Sequence, residues 1–121
     1  MNIKLFDSEL KVMEALWKEG DLTAGQLAII LKEQTDWNRN TTYTVIKKLL
    51  DKGAVERKEP NFTCHALISK EQAQALEVDE LIEKMFSGST DLLFAALLDR
   101  KNISDETMDR LLEKVNQKGK G

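Results

Sequence analysis

A mainly helical fold, with one two-stranded hairpin between its third and fourth helices, is what this sequence predicts. Three observations carry that expectation. Helix-capping residues (Asp, Thr, Asn, Ser) recur along the chain, two of them followed three residues later by Gln. Apolar residues then repeat at helical spacing after each cap. Only between residues 54 and 68 does the period shorten toward two.

The elements follow in order. Asp7 is placed to cap a first helix carrying Leu10, Met13, Leu16 and Trp17, which Gly20 ends. Thr23 opens a capping box closed by Gln26, with Leu22 and Leu27 at hydrophobic-staple positions. That second helix buries Leu27, Ile30 and Leu31 and runs to about Gln34. Asn38 can cap a third helix reaching Lys52, stopped by Gly53. Residues 54–59 and 62–68 then read as antiparallel strands around a tight turn at Pro60-Asn61. Phe62, Cys64, Ala66 and Ile68 share one face of the second strand.

Ser69 with Gln72 starts a fourth helix through Leu76, Leu81, Ile82, Met85 and Phe86, broken at Ser87-Gly88-Ser89. Residues 91–99 form a fifth, apolar on every side, and Ser104 caps a sixth, with a frayed tail from Gln117. Three helices followed by a hairpin is the order of a winged helix-turn-helix. Residues 1–69 are accordingly expected to form that domain, and residues 70–121 a helical dimerisation unit.

Composition narrows the class of function. With 121 residues, 41% hydrophobic and 32% charged, the chain can bury a core and stay in solution. No run of about 18 apolar residues exists, so membrane insertion is not expected. Residues 1–10 lack the basic-then-apolar pattern of a secretory signal, and the single cysteine cannot form an internal disulfide; a cytoplasmic location is expected. Net charge is −3, but it is unevenly spread: −3 over residues 1–38, +4 over 39–58 and −4 over 59–121. The basic island coincides with the third helix and the first strand. Exposed charge acts over about 8–10 Å, so a local island counts for more than the total.

At about 100° per residue the third helix divides into two arcs. Thr42, Val45, Ile46, Leu49 and Leu50 face a core; Asn40, Thr41, Tyr43, Thr44, Lys47, Lys48, Asp51 and Lys52 face outward. The amino-terminal part of such a helix meets base edges and flanking cations meet phosphates. Asn40, Thr41, Tyr43 and Thr44 are therefore the expected base-reading residues of a double-stranded DNA operator. Arg39, Lys47 and Lys48, with Arg57 and Lys58 on the hairpin, are the expected phosphate-binding residues. The plainer reading is a solvated helix face, or an adaptor whose winged helix docks on another protein. Trp37 reads as a packing anchor.

Catalysis has little to work with. Cys64 and His65 are adjacent on a strand and so point to opposite faces, which defeats both a shared metal and a thiol–imidazole pair. Cys64 reads as a small core residue. No phosphate loop is present, and the carboxylate pairs Asp79-Glu80 and Asp105-Glu106 read as solvated or dipole-complementing charge. No enzyme, cofactor or metal is expected.

The sequence resembles the BlaI/MecI/CopY family of penicillinase-type repressors. The carrying residues are Glu14-Ala15-Leu16-Trp17, the run from Trp37 to Leu49, Lys52-Gly53-Ala54-Val55, and Phe86-Ser87-Gly88-Ser89 with the Leu-rich segment before Ile103-Ser104. The resemblance implies a homodimer that binds a palindromic operator and represses transcription, with a membrane metalloprotease sensor as a further partner. It places Thr41, Tyr43 and Thr44 at base-reading positions, Tyr43 where a basic residue is common. The Asn-Phe bond cut in the β-lactam-responsive members corresponds to Ala96-Leu97, and the Cys-x-Cys motifs of the copper-responsive members are missing.

A helix apolar all round is out of place on a small monomer. Leu92, Leu93, Phe94, Leu97 and Leu98, with Met108, Leu111 and Leu112 of the last helix, are the expected dimer interface. Two-fold symmetry would then set two third helices about 34 Å apart, or a small multiple of that.

Overall fold

The computed structural model describes residues 3–119. Among them six helices and three short strands follow one another: α1 Asp7–Glu19, β1 Leu22–Thr23, α2 Ala24–Thr35, α3 Arg39–Lys52, β2 Val55–Lys58, β3 Thr63–Ala66, α4 Lys70–Met85, α5 Thr90–Leu98 and α6 Asp105–Gly119. The chain divides into two compact units, Met1–Glu80 and Leu81–Gly121.

Local chemistry explains most boundaries of the first unit. Thr23 accepts the Gln26 amide N–H at 3.1 Å, and the Gln26 side chain accepts the Thr23 N–H at 2.8 Å, which closes the expected capping box. Asn38 caps α3 by accepting the Thr41 N–H at 2.8 Å, and Gly53 ends it with φ of 79°. Ser69 and Gln72 repeat the reciprocal box at the start of α4. The start of α1 differs from expectation. Phe6, not Asp7, is the cap residue, and Glu9 satisfies the Phe6 N–H at 2.8 Å; Asp7 is the first helical residue, where its charge still complements the helix dipole.

The core of this unit is built from Val12, Met13, Leu16, Ala24, Leu27, Leu31, Val45, Ile46, Leu49, Val55, Cys64 and Ile68. Leu10 and Ile30 are only half-buried; Val12 and Ala28 take interior places that the sequence reading did not assign. Trp17 leans on the same core and donates its indole N–H to the Ile68 carbonyl at 3.0 Å. Trp37 packs against it too.

The hairpin is part of a three-stranded antiparallel sheet in the order β1-β3-β2. Leu22 pairs with Cys64 and Thr23 with Thr63 on one side of β3, while Val55 pairs with Ala66 and Lys58 with Thr63 on the other. The connection between β2 and β3 spans residues 59–62, with Asn61 and Phe62 at positive φ, a wider loop than the expected two-residue turn at Pro60-Asn61.

In the second unit Ser87 and Gly88 turn the chain at positive φ, Ser89 caps α5 by accepting the Leu92 N–H at 3.2 Å, and Ser104 accepts the Thr107 N–H at 3.1 Å. α6 extends through Gly119, past the expected fraying at Gln117; the last two residues of that expected tail lie outside the described residues. None of the side chains of α5 or α6 is buried. No helix of the described residues is long and apolar enough to cross a membrane.

Candidate nucleic-acid interface

The third helix presents its polar arc outward. Asn40, Thr44, Lys47, Lys48 and Asp51 are exposed and Thr41 and Tyr43 half-buried, while Thr42, Val45, Ile46 and Leu49 are buried. The helix caps and the apolar stripe fix this orientation: Asn38 anchors the start, and the buried residues key the opposite side into α1 and α2. Lys52 departs from the expected stripe. Its ammonium turns back to the Glu9 carboxylate at 2.6 Å and the Lys4 carbonyl at 2.7 Å, beneath the Phe6 ring. It is a structural cation, and Glu9 is its buried partner.

Beside the helix, the hairpin brings Arg57 and Lys58 out into solvent. An open cleft between the two is lined by Asn40, Tyr43, Thr44, Lys47, Leu50, Arg57 and Phe62. Lys47, Lys48 and Lys58 form no ion pair among the described residues, so their charges are available. Arg57 is bound to Glu59 at 2.7 Å, both ends exposed, a pairing that water and salt screen heavily.

A ladder of rings and guanidinium groups connects helix to hairpin. The Arg39 guanidinium donates to the Tyr43 hydroxyl at 2.9 Å and lies 5.0 Å from the centre of that ring. The Tyr43 ring meets the Phe62 ring edge-on at 6.0 Å, and Arg57 lies 3.8 Å from the Phe62 centre. Phe62 was legible only as one apolar residue of a strand face; its pairing with Tyr43 depends on the wide loop, which sequence period does not reveal.

The hydroxyls of the helix are also partly committed. Thr44 donates to the Asn40 carbonyl at 2.9 Å, and Thr41 lies 3.1 Å from Oδ1 of Asn38. Cys64 is fully buried, and desolvation pushes its thiol up to about 11, so it is a neutral core group at ordinary pH. His65 lies on the other face, with Nδ1 2.7 Å from the Asp21 carboxylate. The described residues hold no group of three or more His, Cys, Asp or Glu side chains arranged to bind a metal ion.

A three-helix core with a hairpin beside an outward, cation-flanked third helix defines a winged helix-turn-helix DNA-binding protein. The penicillinase repressor family model matches residues 5–117, and the chain belongs to that family, whose members are transcriptional repressors and not enzymes. Over 117 residues it is 23% identical to the methicillin resistance regulatory protein MecI of Staphylococcus aureus strain N315, covering 95% of each chain. It is 20% identical over 112 residues to the penicillinase repressor of Bacillus licheniformis, covering 91% of this chain and 88% of the relative. Among solved structures, the DNA-binding domain of the repressor BlaI superposes with a TM-score of 0.55 at 23% identity, covering 60% of this chain and 90% of that one. The Bacillus licheniformis BlaI monomer in complex with the blaP half-operator gives a TM-score of 0.52 over the same shares at 23% identity. Both likenesses concern the fold.

Proposed function

We propose that this chain is a homodimeric repressor that binds a palindromic operator, each protomer laying α3 in the major groove of one half-site. Asn40, Thr41, Tyr43 and Thr44 contact base edges; Lys47, Lys48, Arg57 and Lys58 hold phosphates on either side. Arg39 differs from these cations in donating one of its N–H groups to the Tyr43 hydroxyl. The observation that supports this reading most is the exposure of Lys47, Lys48 and Lys58, without ion-pair partners among the described residues, beside a polar helix face. The BlaI structure with a half-operator supports it by analogy of fold.

Dimerisation falls to residues 70–121 through Leu92, Leu93, Phe94, Leu97 and Leu98, joined by Met108, Leu111 and Leu112. Leu92 at 53% and Leu112 at 48% exposure in the single chain support a role in covering a partner. A chromosomal operator puts the protein in the cytoplasm. A membrane metalloprotease sensor is the upstream partner implied by the family. The bond it would cut, Ala96–Leu97, lies in the last turn of α5, so cleavage there requires that turn to open.

Salt titration tests the reading. Four phosphate contacts per half-site predict a log–log affinity slope of about −3 to −4 on a half-site duplex. A slope near zero on every duplex would instead favour the protein-docking adaptor.

A further inference from the structure

We propose that Arg39 and Tyr43 act as one composite reader, two donors set to recognise guanine, so that Arg39 serves a base and not a phosphate. The inference rests on the operator-binding reading of α3 and adds to it which base one position takes.

Arginine carries donors only, so in the 2.9 Å contact between the two side chains Arg39 donates and the Tyr43 oxygen accepts. The direction is settled by chemistry. With its acceptor side occupied, the Tyr43 hydroxyl has its own proton left to offer. The guanidinium, with five N–H groups, spends one on Tyr43 and keeps others. The pair therefore presents donors alone. The neighbouring hydroxyls have the opposite bias: Thr44 has given its proton to the Asn40 carbonyl and can only accept.

Major-groove edges differ in what they answer. Guanine shows two acceptors, N7 and O6; adenine pairs an acceptor with a donor, thymine an acceptor with a methyl, and cytosine shows a donor. A two-donor reader matches guanine alone at both points. Position agrees with this. Arg39 is the first residue of α3 and Tyr43 lies one turn on, the part of a recognition helix that reaches bases. Rigidity agrees as well, because the Tyr43 ring packs edge-to-face with the Phe62 ring, itself covered by Arg57.

The test is selection of duplexes from a randomised pool by the full chain, repeated with Tyr43→Phe and Arg39→Ala. Tyr43→Phe removes only the hydroxyl and keeps the ring that meets Phe62, so the fold is retained. The wild type should fix a guanine in each half-site. Each substitution should reduce discrimination of guanine over adenine at that same position about 10-fold, leaving the other positions unchanged. Placing 7-deazaguanine there should weaken the wild type and leave the Arg39→Ala/Tyr43→Phe double variant unaffected. If a common site is selected but the two substitutions alter no position, or different ones, the composite reader is overturned while operator binding stands. If the wild type selects no site at all, the operator reading falls with it.

Discussion

Thr44 and Lys48 share one exposed face of α3, and the proposed function gives them different tasks. Thr44 has its hydroxyl hydrogen bonded to the Asn40 carbonyl, leaving an acceptor lone pair and a methyl group, the two features its proposed base-reading role would use. Lys48 offers a hydrated charge that any phosphate satisfies. Thr44→Ala should therefore narrow the gap between selected and random duplexes, whereas Lys48→Ala should weaken both about equally and lower the salt slope by about 1; fluorescence anisotropy over a salt series reads both. Identical losses on the two kinds of DNA would remove the distinction. At this scale the outward arc was legible, because a 100° period separates Thr42 and Val45 from Asn40 and Thr44 without any knowledge of tertiary structure. Hydrogen-bond polarity was not. Nothing in the letters Arg39 and Tyr43 says which partner each has chosen.

Elements in this protein are joined by polar contacts as well as by their apolar faces. The Glu9 carboxylate closes the start of α1 and also receives Lys52 from the last turn of α3, so one buried group fastens two helices. Removing its cation leaves a charge without compensation in the interior. Lys52→Ala should cost about 3 kcal/mol in urea unfolding, and replacing Glu9 and Lys52 together by apolar residues should recover most of it. A loss below about 0.5 kcal/mol would class the pair with ordinary surface contacts. Most helix starts were readable because each carries its own signal: Thr23, Asn38, Ser69 and Ser104 all cap as expected, and Ser89, read only as part of a helix break, caps α5. β1 was not, since a strand of two residues has no alternation to detect, and its pairing with β3 is decided by where the α1–α2 turn lands. The Phe6 cap escaped for a related reason: the contact is made by its backbone, and Asp7 next to it had the stronger sequence signal.

Across the whole molecule the two units differ in how their apolar residues are used. Met1–Glu80 encloses a continuous core, while in Leu81–Gly121 the large side chains Leu92, Phe94, Leu97, Leu98, Leu111, Leu112 and Val115 are all more than 40% exposed. A second copy is the proposed cover. Leu97→Asp should yield monomers by sedimentation velocity and weaken binding to a full palindrome far more than to a half-site, because avidity is lost. An unchanged dimer would move the interface elsewhere. The sequence marked α5 as a helix with no polar side, and the dimerisation unit expected over residues 70–121 is the proposal built on it. What the sequence did not mark was the stitching of β3 on both edges, to β2 on one and to β1 on the other. That stitching has a mechanical corollary. Because β1 anchors β3 to the rest of the unit, the hairpin that β3 forms with β2 has less freedom to swing, and in the proposed complex more of the adjustment would fall to the nucleic acid. Sequences that bend or twist cheaply toward the fixed protein contour should be favoured at base pairs the protein never touches.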